Sequence, residues 1–210
     1  SRNGFALLDD SKSLIITKDY VKPRDTKDSE DLYVFCYGHE YRRAIKDFYY
    51  LCGATPLLPR FALGNWWSRY HVYTDEEYLR LLEKFEEREV PLSVATVDMD
   101  WHYTDPGRGA WTGWTWNRSI FPDPQKFMSQ MKDKGLKITI NLHPAEGFDH
   151  WEECYPALAE SLGKDPEGKD RIEWINSDKK FMTNMFDKVM HPMQKEGVDF
   201  WWLDWQQHVY

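Results

Sequence analysis

Four short apolar runs in this chain each lead into side chains able to do chemistry. Leu92–Asp98 closes on Asp98, with Asp100, Trp101 and His102 just beyond. Lys137–Leu142 carries Asn141 and is followed by His143, Val198–Leu203 brings Trp201 and Trp202 up to Asp204, and Phe61–Trp67 leads into Arg69 and Tyr70. A carboxylate at the end of an apolar strand, flanked by indole rings, suits cleavage of a glycosidic bond. One carboxylate attacks or stabilises the anomeric carbon, others hold hydroxyls, and flat rings seat the pyranose. Each group also has a plainer use. A strand-end Asp is a ready helix N-cap or loop anchor. Asp100 reads as a structural partner of Arg69 or of a loop amide, and His143, before Pro144, as a buried hydrogen-bonding group. Asp98, Asp100 and His102 spell a conceivable metal cluster. Successive side chains alternate across a strand, however, and the spacing matches no zinc or calcium pattern, so neither metal nor cofactor is expected.

These residues need a scaffold that gathers strand ends, and the intervening segments predict one. Thr74 and Glu77 form a capping box ahead of a helix with Tyr78, Leu82 and Phe85 on one face. Asp123 and Pro124 open a second helix, carried through Phe127 and Met131 and closed by Gly135. Asp178 opens a third, with Phe181, Met182, Met185, Phe186, Val189 and Met193 on a stripe. The stretch 146–175 has no clear period. Strand and helix in alternation mean parallel strands with helices outside them, in a doubly wound sheet or a (β/α)8 barrel. No Gly-rich phosphate loop follows the first strand, which argues against a nucleotide-binding doubly wound sheet. A barrel needs eight strands in about 250 residues, so residues 38–210 are expected to hold the first four βα units of a TIM barrel. Chemistry in such a barrel collects at the C-terminal strand ends, where the polar residues lie. Residues 1–37 read differently, as short strands broken by Asp9-Asp10 and by the charged run 22–31, and 39–51 reads as a helix stopped by Gly53.

The composition agrees with this reading. The 210 residues are 41% hydrophobic and 30% charged, and no run approaches the roughly 18 apolar residues of a membrane helix. A net charge of -8 argues against a nucleic-acid or anionic-membrane partner and favours an uncharged substrate. Aromatic residues make up 16% of the chain, with eleven Trp, the ring type on which sugars stack. Cys36, Cys52 and Cys154 are too few and scattered for a disulfide scaffold and fit a reducing, cytoplasmic compartment. The N-terminus shows neither a signal peptide nor a starting Met, so localisation stays open. Asn117-Arg118-Ser119 matches the short glycosylation sequon. Half a barrel exposes strand edges, so association into a homo-oligomer is expected.

Several blocks carry a family resemblance. Gly4-Phe5-Ala6-Leu7-Leu8-Asp9-Asp10, the stretch from Asp31-Leu32-Tyr33-Val34-Phe35 to Tyr41, and Pro56-Leu57-Leu58-Pro59-Arg60-Phe61-Ala62-Leu63-Gly64 are followed by Val97-Asp98-Met99-Asp100-Trp101, Phe121-Pro122-Asp123-Pro124 and Trp201-Trp202-Leu203-Asp204. Together they resemble glycoside hydrolase family 31, the α-glucosidase and α-xylosidase family. The resemblance implies that residues 1–37 are the tail of an N-terminal β-sandwich and that the chain holds the first half of the catalytic barrel. It makes Asp204 the nucleophile of a retaining, exo-acting α-glycosidase, most like an α-glucosidase, working through a covalent glycosyl-aspartate. Asp98 becomes a hydroxyl ligand, Trp202 a wall of the same subsite, and Arg69 and Tyr70 part of its lining. Trp101, Asn141 and His143 complete the expected substrate-binding set. Two departures bear on substrate choice. Trp205-Gln206-Gln207 stands where the family commonly has Met-Asn-Glu, and His143-Pro144 where many members have an acidic residue before proline. The family's acid/base is expected beyond residue 210, which would leave this chain a catalytically incomplete fragment. The competing expectation is a non-catalytic carbohydrate-binding protein on a degenerate barrel.

Overall fold

The computed structural model describes residues 2–24, 30–104 and 111–204. The chain divides into two compact units, Ser1–Leu58 and Pro59–Tyr210.

In the first unit β1 (Phe5–Asp9) and β4 (Leu32–Cys36) pair antiparallel, from Phe5 opposite Cys36 to Asp9 opposite Leu32. Between them β2 (Ile15–Ile16) and β3 (Val21–Lys22) form a small hairpin. Arg24 ties the connection down, its guanidinium 2.7 Å from the Asp10 carbonyl and 3.1 Å from the Asp31 carboxylate. Helix α1 (Tyr41–Cys52) belongs to this unit and ends at Gly53, whose φ of +90° a side chain would disfavour. None of the unit's described residues is fully buried.

The second unit carries a four-stranded parallel sheet in the order β5 (Trp66–Trp67), β6 (Val94–Val97), β7 (Lys137–Leu142), β8 (Phe200–Leu203). The expected first strand is shorter than predicted. Residues Arg60–Leu63 make one turn of 3-10 helix, closed by the Gly64 N–H donating to the Phe61 carbonyl at 3.1 Å. Gly64 then passes so close to Ser93 that a Cβ would lie 1.9 Å from its Oγ, and only after this crossing does the backbone enter the ladder.

Helix starts follow local chemistry. The capping box of α2 (Asp75–Glu87) is formed, with the Glu77 N–H 3.2 Å from Thr74 Oγ1 and the Thr74 N–H 3.0 Å from Glu77 Oε2. Asp123 caps α3 (Pro124–Asp133) by accepting from the Lys126 N–H at 3.0 Å. In the stretch without a period the structure holds α4 (Tyr155–Leu162), stopped by left-handed Gly163. The third expected helix is broken: α5 (Lys179–Met185) passes through a π-helical turn, Phe186–Met190, into α6 (His191–Glu196). The wide turn lies just before Pro192, which has no N–H for the regular ladder. Along this segment Phe181, Met185, Val189, Met190 and Met193 are buried, while Met182 is half-buried and Phe186 exposed.

Strand alternation sorts the sheet into two faces. Ala95, Val97, Ile138, Ile140 and Leu142 share the buried core with Leu82, Phe127, Met128, Met131 and Met185 of the helices. Trp66, Phe200 and Trp202 lie on the opposite face, where the rings of Trp66 and Phe200 meet edge to face at 5.3 Å and those of Trp66 and Trp202 at 5.6 Å. A doubly wound sheet would bury both faces under helices. Here the second face carries half-buried aromatic rings and polar side chains, as on the inner wall of a barrel.

Candidate active site

Asp98, Asn141, His143 and Asp204 come together because register brings their strands level. Val97 pairs with Ile140 and Asn141 with Trp202, so Asp98 follows β6 level with Asn141 and Asp204 follows β8 two residues further along, level with His143. The Asn141 amide nitrogen lies 3.0 Å from Asp98 Oδ1 and 2.8 Å from Asp204 Oδ2, donating to both. Asp98 is anchored further by the Met99 N–H at 2.7 Å and the Ser68 hydroxyl at 3.4 Å. It therefore also caps the single 3-10 turn Met99–Trp101. His143 Nε2 sits 3.8 Å from Asp204 Oδ2. Burial pushes the His143 pKa below the usual histidine range, against the pull of the Asp204 and Asp98 charges. The ring is thus neutral at neutral pH, and its approach to Asp204 is a polar contact rather than an ion pair.

The other expected site residues fall into two groups. Arg69 and Tyr70 are exposed in the segment after β5, Trp202 is half-buried on the inner face, and the Asp204 side chain is 44% exposed. Trp101 and Asn141 differ from expectation. Trp101 is fully buried, with its ring edge to face on Trp116 at 5.0 Å and its indole N–H donated to the Asn141 carbonyl at 2.7 Å. Past Asp98 the chain turns helical, so strand parity no longer governs where Trp101 points, and the ring has no surface to offer a sugar. Asn141 is 2% exposed and its N–H groups are committed to the two carboxylates. Asp100 bonds to the Thr104 hydroxyl at 3.3 Å rather than to Arg69, and burial raises its pKa. His102 is buried against Tyr103, its Nδ1 2.9 Å from the Tyr103 carbonyl, and burial pushes its pKa down to about 4. Among the described residues no three His, Cys, Asp or Glu side chains gather as a metal site. Trp205-Gln206-Gln207 lies outside the described residues.

With the sheet and strand-end carboxylates in view, comparison with known proteins identifies the family. The sequence model of the glycosyl hydrolases family 31 TIM-barrel domain matches residues 55–209. The chain belongs to glycoside hydrolase family 31. An α-xylosidase of Saccharolobus solfataricus is 28% identical over 178 residues, covering 83% of this chain and 22% of that protein. Alpha-glucosidase 2 of Bacillus thermoamyloliquefaciens is 31% identical over 114 residues, 54% of this chain and 14% of that enzyme. Among solved structures, a GH31 α-xylosidase of Xanthomonas citri superposes with a TM-score of 0.65 at 19% identity, covering 83% of this chain and 20% of that one. A family 31 α-glucosidase of Bacteroides thetaiotaomicron gives 0.63 at 19% identity, covering 97% of this chain and 36% of that one. The chain spans about a fifth of the α-xylosidase it matches. Its four-stranded sheet is part of a family 31 TIM barrel.

In this family 31 chain the site wall beside His143 is built by residues that sequence reasoning missed. The Thr112 hydroxyl donates to the His143 carbonyl, and the Trp111 ring, 44% exposed, meets the imidazole at 5.6 Å. The segment carrying both is held from below by Glu152. That carboxyl accepts from the Trp114 N–H, 3.2 Å from each oxygen, and from the Thr115 hydroxyl. Burial raises the Glu152 pKa to about 7, although both donors work in the opposite direction. The segment 111–116 holds Trp111, Trp114 and Trp116, but nothing local marks Glu152 as its anchor.

Proposed function

We propose that this chain supplies the nucleophile side of a retaining, exo-acting α-glycosidase of α-glucosidase or α-xylosidase type. The observation that carries the reading is the convergence of Asp98 and Asp204, from the ends of two strands, on one side of the inner wall. Asp204 attacks the anomeric carbon of an α-glycoside and the bond to the departing oxygen breaks. A glycosyl-aspartate ester results, which water then hydrolyses. Asp98 accepts hydrogen bonds from sugar hydroxyls, while Trp202, Arg69 and Tyr70 line the same subsite. Neutral His143 adds a polar contact without a second negative charge, which distinguishes this pocket from one with an acidic residue there. The acid/base that protonates the leaving group, about 5 Å from the nucleophile in a retaining site, comes from a part of the barrel outside these 210 residues. The names of the matched relatives support an α-xyloside or α-glucoside as substrate. The antiparallel pairing of β1 with β4 supports reading residues 1–37 as the tail of a β-sandwich ahead of the barrel.

The test is covalent labelling with 5-fluoro-α-glucosyl fluoride and its α-xylosyl counterpart, whose leaving group needs little acid assistance. The expected adduct maps to Asp204, and Asp204→Asn in the complete enzyme abolishes both adduct and nearly all kcat. Full turnover by that variant, or an adduct on another carboxylate, would end the assignment. Sugar binding without cleavage by the complete enzyme would support the non-catalytic alternative.

A further inference from the structure

Asn141 sits between the two strand-end carboxylates with both of its side-chain donors directed at them. An amide nitrogen carries two hydrogens. Here one faces Asp98 Oδ1 at 3.0 Å and the other Asp204 Oδ2 at 2.8 Å. The side chain is buried, and its Oδ1 has no hydrogen-bond partner among the described residues. The backbone is fixed as well, by the β7 ladder and by the Trp101 indole on the Asn141 carbonyl at 2.7 Å.

We propose that Asn141 is a positioning residue, which holds the Asp204 carboxylate at a set height and angle relative to Asp98. The inference rests on Asp204 being the nucleophile. Two carboxylates bound to one amide nitrogen have those oxygens no more than about 6 Å apart, where like charges repel. The positive end of the amide dipole lies between them and offsets that repulsion. Asp98 has independent anchors in the Met99 N–H and the Ser68 hydroxyl. Asn141 therefore transmits a fixed point to Asp204. Gripping Oδ2 sets the direction in which Oδ1 points, and with it the line along which an oxygen can approach the anomeric carbon. A loss of that line is worth far more in rate than in binding, because a displacement of about 1 Å at the reacting atoms slows chemistry on the order of 10²-fold.

The experiment uses the complete enzyme and the same pair of 5-fluoroglycosyl fluorides. Attack by Asp204 forms the ester bond to the anomeric carbon, and the breaking C–F bond expels fluoride with its electron pair. Mass spectrometry counts labelled sites, and the time course gives the rate per labelled site. Asn141→Leu, similar in volume but without donors, and Asn141→Ser, with one shorter donor, are compared with the parent. The expected result is a fall of about 10²-fold in labelling rate per site, with kcat falling and KM changing little. A purely structural role would instead lower the number of labelled sites while each remaining site reacts at the parental rate, and that outcome overturns the proposal. If the parent is labelled by neither reagent, or away from Asp204, the nucleophile assignment falls and this inference with it. A parent labelled at Asp204 beside variants of unchanged per-site rate overturns the positioning role alone.

Discussion

Glu152→Gln should make the stability of this protein less sensitive to pH, and the size of the effect follows from where Glu152 sits. The side chain is 3% exposed, and burial raises its pKa from 4.5 to about 7 in the fold despite the Thr115 and Trp114 donors. Below the unfolded value the carboxyl is neutral in both states and its contribution to stability is fully present. Between the two values the unfolded chain releases the proton while the folded chain keeps it, so stability falls as pH rises. Above about 7 the loss is complete. At about 1.4 kcal/mol per decade of proton affinity, the gap from 4.5 to about 7 corresponds to about 3 kcal/mol. Gln keeps an acceptor for Trp114 and Thr115 and has no charge to desolvate. The assay is thermal and urea unfolding of parent and variant at pH 4 and pH 8. The variant should gain on the parent by about 3 kcal/mol between these limits, or roughly 6–12 °C in Tm for a chain of this size. A difference between the two that does not move with pH would refute the assignment of a buried, late-titrating carboxyl to Glu152.

Other perturbations test separate parts of the structure. Asp98→Ala in the complete enzyme removes an ionised acceptor for sugar hydroxyls and should lower kcat/KM by about 10- to 100-fold, whereas unchanged kcat/KM would remove Asp98 from the subsite. Thr74→Ala deletes one half of the capping box and should cost about 1 kcal/mol, read as a lower urea midpoint, with no change counting against the cap. Gly113→Ala puts a Cβ 2.3 Å from His102 Nδ1, so the buried imidazole must move. A loss of about 1–3 kcal/mol is expected in the same assay, and a variant as stable as the parent would mean that His102 has room to shift.

How much of this was legible in the sequence depends on the reach of each interaction. The starts of α2, α3 and α5 were readable because their caps, Thr74, Asp123 and Asp178, bond to N–H groups two or three residues away. Strand β7 was readable end to end because Lys137–Leu142 alternates polar with aliphatic residues and begins two residues after left-handed Gly135. The first strand was overextended because the 3-10 turn at Arg60–Leu63 and the crossing at Gly64 depend on Ser93, which no local pattern announces. Helix α4 escaped notice because an eight-residue helix with three fully buried apolar side chains gives too little periodicity. The π turn did so because it inserts one residue into a stripe that otherwise keeps its rhythm.

The same distinction runs through the site. Asp98 and Asp204 were legible as carboxylates ending apolar strands, since strand and turn are local properties. Glu152 was not, because its donors, Trp114 and Thr115, lie 38 and 37 residues upstream. Trp101 was expected in the subsite from its place beside a strand-end carboxylate and from the resemblance, neither of which shows that the backbone turns helical after Asp98 and buries the ring. Asn141 shows most directly what spacing alone omits. Its type and strand-end position were visible, but its role follows from two registers. Val97 opposite Ile140 sets Asp98 beside it on one side, and Asn141 opposite Trp202 sets Asp204 within reach on the other. A one-residue slip in either pairing would turn one carboxylate to the helix-covered face and leave one buried amide N–H without its acceptor. The polar contacts at the strand ends and the apolar packing of β6, β7 and β8 thus select the same register.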